Sequence, residues 1–176
     1  MNRLLERHCI LVGMPGVGKT TIGRRLAYRL GVSFTDLDAQ IEAASGCSIR
    51  DYFGLHGEAA FRDVEAEMLG RALAASPCVL STGGGAVLRP GNCEMMRERG
   101  TVIYLLASPN HLAHRLKSDT KRPLLQGGDL QQKLKELHAL RDPLYRAAAH
   151  YVIDTQRGST YTVVHRIVMQ LNMMSA

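Results

Sequence analysis

The stretch GMPGVGKT, Gly13 to Thr20, limits what this chain can become more than any other segment. It fills the pattern G-x-x-x-x-G-K-[S/T] at every position. It stands between the short apolar run HCILVG and the amphipathic run KTTIGRRLAYRLG. A glycine-rich loop of this spacing is a phosphate cradle when a strand leads in and a helix leads out, and both flanks are present. The glycines let successive backbone N–H groups curl around phosphate oxygens. The helix beginning near Lys19 adds its positive end. Lys19 places a charge on the β and γ phosphates, and the Thr20 hydroxyl can ligate Mg²⁺. The expected nucleotide-binding segment is therefore Gly13, Met14, Pro15, Gly16, Val17, Gly18, Lys19 and Thr20, with Thr21 beside it.

The rest of the chain alternates in the same way. Ile22, Leu26 and Leu30 recur at helical spacing, and Gly31 is the stop. VSFTDLD reads as a second strand, and CSIRDYFGLHGEAAFRDVEAEMLGRALAA as helical in parts, with Ser48 and Asp51 at capping-box spacing. CVLSTGGG, TVIYLLA and YVIDT are the third, fourth and fifth strands. SPNHLAHRL opens with a cap serine and a first-turn proline. LQQKLKELHALRDPLYRAAA and TYTVVHRIVMQL are helical. Between them, SDTKRPLLQGGD is polar, carries a proline and paired glycines, and reads as a mobile loop. Strands alternating with helices predict an α/β fold, a parallel sheet covered by helices on both faces. At 176 residues the chain is expected to be one domain, residues 1–176.

Composition narrows the partners. The formal net charge is +6, mostly arginine spread along the chain rather than in a block. With 3 Phe, 6 Tyr and no Trp, a stacking platform for bases is poorly supplied, so anionic small molecules are the better reading than nucleic acid. No run approaches a membrane span, and the N-terminal residues show no signal-peptide pattern, so the expectation is a cytoplasmic protein. The four cysteines form no C-x-x-C, and Cys9 and Cys78 lie in apolar runs as buried thiols. His111 and His114 share a helical stretch, but no third metal ligand accompanies them.

Two features ask for a partner. STGGGA puts three glycines at the end of a strand, where glycine weakens the strand and packs against nothing. P-loop proteins usually carry an aspartate there, and here the strand ends in Ser81. FTDLDAQIE offers Asp36 and Asp38 instead, two apart and on the same side if the segment is extended. One carboxylate would serve a metal and the other a substrate hydroxyl. Taken alone, Asp38 reads more readily as the N-cap of the following helix. Arg62 and Glu65 are neighbours at i, i+3. Arg122 lies in the glycine-containing loop, and Arg141 sits beside a proline near a helix end. Each arginine alone reads as a surface charge.

Together, GMPGVGKT, FTDLDAQIE, FRDVE, STGGGA, RPLL and RDPLY occur in the order and approximate spacing seen in shikimate kinases. The resemblance runs from about Ile10 to Asp154. It implies a P-loop kinase-type five-stranded parallel sheet and a mobile lid over roughly 117–129. It implies ATP and Mg²⁺, and shikimate as the small-molecule substrate, phosphorylated on its 3-hydroxyl; separately, the chain is expected to be a monomer. By motif, Arg62 and Arg141 would bind the shikimate carboxylate, and two guanidinium forks suit a planar anion. Gly83, Gly84 and Gly85 would line the pocket, where a side chain would occupy the space of the ring. Asp38 would accept from the ring hydroxyls, Asp36 would support the magnesium shell with Thr20, and Glu65 would orient Arg62. Arg122 would ride on the lid to the transferring phosphoryl group. Arg115 matches the position against the adenine, and Arg157 is a further candidate on the nucleotide side. Two alternatives stay open: another small-molecule P-loop kinase, for gluconate or a nucleoside monophosphate, and a non-enzymatic nucleotide-binding module.

Overall fold

The computed structural model describes residues 5–117 and 127–174. Among the described residues there are five strands: β1 (His8–Val12), β2 (Phe34–Asp36), β3 (Val79–Ser81), β4 (Gly100–Leu106) and β5 (Tyr151–Asp154). They form one sheet in the order β2-β3-β1-β4-β5, with every adjacent pair parallel. Cys9 to Val12 have no exposed surface, and β4 is buried from Gly100 to Leu105. A strand buried on both faces needs a continuous apolar run, which is why HCILV and TVIYLL do not alternate. The edge strand β2 is only half-buried.

The helices are α1 (Lys19–Leu30), α2 (Leu37–Ser45), α3 (Ile49–Ala74), α4 (Pro90–Arg99), α5 (Pro109–Leu116), α6 (Leu130–Ala148) and α7 (Thr160–Met174). α1 buries Ile22 and Leu26 against the sheet and stops at Gly31, in the left-handed conformation at φ 68°. Its interior Gly23 has a packing reason. A Cβ there would stand 2.5 Å from the Phe34 ring and 3.3 Å from Leu11, so the glycine lets α1 lie close on β1 and β2. The helix weakening this costs is roughly 0.5–1 kcal/mol. Removing Leu26, wholly buried, to alanine would cost about 2–5 kcal/mol.

From β1 the chain crosses over β3 to β2; from β3 it crosses over β1 to β4. Right-handed crossovers in opposite directions put α1 and α4 on opposite faces. α1 packs with α7, and α4 with α6. Because β1 and β3 are neighbours whose connections diverge, their carboxyl ends frame a crevice, the place where open α/β sheets bind ligands.

The structure departs from expectation in two places. β2 and β3 have only three residues each, so the glycine triplet lies beyond β3 rather than within it. A 3₁₀ turn (Ala86–Leu88) and α4 follow it, neither of which the apolar spacing announced. α4 buries only Asn92 and Met96, too few to make a helical stripe. In agreement with a segment read as helical in parts, α3 is interrupted at Gly57, at φ 81°, which separates a short arm from the long helix carrying Arg62 and Glu65.

Candidate active site

The P-loop runs from the end of β1 into α1, and its three glycines serve different ends. A side chain on Gly13 would stand 2.6 Å from the Leu105 carbonyl, and one on Gly16 would run into Leu116. Gly18 caps α1 at φ 105°, a left-handed geometry that side chains disfavour. Met14 and Val17 are buried in the core and anchor the loop. Pro15, Gly16, Gly18, Lys19, Thr20 and Thr21 face a cavity of about 560 Å³, whereas Gly13, Met14 and Val17 do not line it. The Lys19 ammonium donates to the carbonyls of Gly13 (2.7 Å) and Met14 (3.1 Å), so it is folded back over the loop.

The two aspartates divide differently from the sequence reading. β2 ends at Asp36 and α2 begins at Leu37, so the pair does not lie on an extended segment. Asp36, not Asp38, is the N-cap: its Oδ1 accepts from the Ala39 N–H at 3.2 Å. Its Oδ2 accepts from the Thr20 hydroxyl at 2.7 Å. Asp38 sits in the first turn of α2 and lines the cavity together with Asp36. One helical turn, rather than strand alternation, brings both carboxylates to the site.

Two of these arginines, Arg62 and Arg141, are not surface charges. Arg62 and Arg141 are buried, and so is Glu65. Arg62 Nη1 donates to Glu65 Oε1 at 2.8 Å, and its Nη2 reaches Glu58 at 3.3 Å. Burial pushes the Glu65 carboxyl above its ordinary range, while the charge and hydrogen bond of Arg62 and the charge of Arg141 pull it back. Among the described residues, only three buried side-chain polar atoms lack a partner, and Arg62 Nε and Glu65 Oε2 are two of them. Buried polar atoms are paired in the great majority of cases, so both atoms of this ion pair have capacity for a further partner.

The glycine triplet explains itself in space, not in backbone conformation, since none of its members has positive φ. A Cβ on Gly83 would stand 2.8 Å from both Asp38 Oδ1 and Glu65 Oε2. One on Gly84 would stand 3.0 Å from Pro15 and 3.2 Å from Arg141, and one on Gly85 would collide with the Arg62 guanidinium. The room a side chain would take here is occupied largely by the site's own charged groups. Gly83, Gly84 and Gly85 all line the cavity.

Ile49, Phe53, Phe61 and Leu137 add an apolar wall that the motifs did not reveal. Ile49 and Phe53 stand at i, i+4 on the short arm of α3, the one signal available. On the other side, Arg115 donates to the Val17 carbonyl at 3.2 Å. It lines both this cavity and an adjoining recess of about 380 Å³ between the P-loop and 155–160. Arg157 lines neither; it is exposed and pairs with Asp154 at 3.3 Å. Arg122 and most of the expected lid, residues 118–126, lie outside the described residues.

For a divalent cation carried on a nucleotide, Thr20 and Asp36 offer two hard oxygen donors on the phosphate side of the cavity. No cluster of three or more His, Cys, Asp or Glu that could hold a metal occurs among the described residues. This sparse donor set suits Mg²⁺, which keeps its waters and takes one or two protein oxygens plus substrate phosphates.

A shikimate kinase family model matches residues 15–172. A shikimate kinase of Paracidovorax citrulli (strain AAC00-1) is 51% identical over 166 residues, covering 93% of this chain and 91% of that protein. Among solved structures, a shikimate kinase from Acinetobacter baumannii in complex with shikimate superposes with TM-score 0.92 at 40% identity. It covers 95% of this chain and 93% of that one. A gluconokinase from Sinorhizobium meliloti 1021 reaches TM-score 0.62 at 18% identity, over 98% and 95% of the two chains, and shares the fold alone. The motif order, the buried arginines around the glycine triplet and the family match agree, and the chain belongs to the shikimate kinase family.

Proposed function

We propose that this protein transfers the γ-phosphoryl group of ATP to the 3-hydroxyl of shikimate, giving ADP and shikimate 3-phosphate on the route to the aromatic amino acids. The observation that carries this is one cavity that joins a P-loop to a buried Arg62–Glu65 pair, Arg141 and Asp38. Phosphoryl transfer needs positioning and charge more than covalent chemistry, and the residues divide those tasks. Gly16, Gly18 and Lys19 receive the phosphates, and Lys19 exchanges its two loop carbonyls for phosphate oxygens. Thr20 and Asp36 would hold the Mg²⁺ that accompanies ATP, and the ion would supply positive charge toward the phosphates. Arg62 and Arg141 take the acceptor carboxylate. Asp38 orients the attacking hydroxyl and takes its proton late in the transfer. Glu65 holds Arg62 in place, and Arg115 flanks the base. Arg122 is assigned to the moving phosphoryl group by its motif alone.

The same reading extends to a cytoplasmic monomer made of one kinase domain over residues 1–176. No helix among the described residues is long and apolar enough to cross a membrane. A coupled ADP-release assay tests the function. Turnover is expected with ATP, Mg²⁺ and shikimate, and none with gluconate or nucleoside monophosphates in its place. Equal ADP release with and without shikimate would overturn the reading.

A further inference from the structure

Tyr145 is wholly buried, one helical turn after Arg141 on α6, and its hydroxyl donates to the Gly84 carbonyl. The carbonyls of Gly83 and Gly85 accept from the N–H groups of Ala86 (3.2 Å) and Leu88 (3.1 Å). All three triplet carbonyls are thus held within the protein. In a trans peptide the C=O and the following N–H point in opposite directions, and no peptide among the described residues is cis. Fixing the Gly84 carbonyl on Tyr145 therefore turns the Gly85 N–H away from Tyr145. Gly84 and Gly85 line the cavity and Tyr145 does not, so that N–H is turned to the cavity side. Among the described residues, no backbone carbonyl takes it.

The phenol is itself well held. Its ring lies 4.9 Å from that of Tyr104, whose hydroxyl donates to Asp142 at 2.8 Å. Burial pushes the Tyr145 phenol up to about 12, against the pull of the nearby Arg141 charge. The hydroxyl proton stays in place as a donor throughout the neutral range.

We propose that Tyr145 is a positioning residue for the acceptor: its hydroxyl locks the Gly84–Gly85 peptide so that the Gly85 N–H donates to an acceptor oxygen beside Arg141. This rests on reading the cavity as the shikimate site. The test is Tyr145→Phe in the full chain, which keeps the ring and removes the donor. The KM for shikimate is expected to rise about tenfold, with the KM for ATP within about twofold and the melting temperature within a few degrees. The Gly85 amide resonance should move on adding shikimate to the wild type and move less in the variant. A para-aminophenylalanine at this position, which retains a donor, should restore the KM. If the wild type phosphorylates shikimate while Tyr145→Phe has an unchanged shikimate KM, the proposal is overturned and the functional reading stands. Parallel losses for both substrates with a lowered melting temperature also overturn it, since they mark a residue that only holds the fold. A wild type that leaves shikimate unphosphorylated overturns both.

Discussion

The Thr20 hydroxyl donates to the Asp36 carboxylate at 2.7 Å, tying the first turn of α1 to the end of β2. The other oxygen of the same carboxylate caps α2. Asparagine caps nearly as well and keeps an acceptor, but it carries no charge. Asp36→Asn should therefore unfold like the wild type and need more Mg²⁺ for half-maximal rate. Asp36→Ala should also lose about 1 kcal/mol of stability with the cap. Mg²⁺ titration of the rate, beside urea unfolding, checks both. An Asn variant with wild-type Mg²⁺ dependence removes the metal role.

Asp38 is relieved of the cap by Asp36, so its substitution separates chemistry from folding. Asp38→Asn should lose no more than about 0.3–1 kcal/mol, the worth of one acid in the first turn of a helix. Its kcat should fall by roughly 10²–10⁴, the usual weight of a positioned proton acceptor. One melt and one rate decide the matter, and a fully active variant would remove Asp38 from the chemistry.

Arg62→Ala should weaken shikimate binding by on the order of 1.5–3 kcal/mol and leave ATP binding nearly unchanged. It also strips Glu65, 1% exposed, of its closest cation. Burial already raises the Glu65 carboxyl, and without Arg62 it rises further. A carboxyl raised in the folded state contributes stability that is complete below its unfolded value and is lost as pH rises through the folded value. The deficit of the variant relative to wild type should thus widen from about pH 5 to about pH 8, starting above the unfolded glutamate value near ~4.3. Urea unfolding at both pH values measures it, and a deficit that shrinks with pH contradicts the assignment.

Gly85→Ala tests the glycine triplet. Gly85 has φ −100° and ψ 6°, which alanine can adopt, so the backbone should tolerate the change. The added methyl meets the Arg62 guanidinium. The shikimate KM should rise about tenfold or more as that fork is displaced, with the ATP KM little altered. A wild-type shikimate KM would show that Arg62 relaxes without consequence.

Local order determined what the sequence could show. The P-loop, the strand runs of β1 and β4, the Gly31 stop and the Arg62–Glu65 neighbours are set within a few residues, by backbone freedom, apolar runs and helical spacing. So the α/β class and the phosphate cradle were legible along the chain. The split of Asp36 and Asp38 was not, because it depends on one residue's difference in where β2 gives way to α2. α4 was not, because it buries an asparagine and a methionine rather than a stripe. The strand order β2-β3-β1-β4-β5 pairs segments far apart in sequence, and only packing chooses among such pairings. That choice brings Gly85 against Arg62, Gly84 between Pro15 and Arg141, and Tyr145 onto the Gly84 carbonyl. Alone, each of these arginines read as solvated; burial against one another turned them into a site, since a buried charge persists only where other groups compensate it.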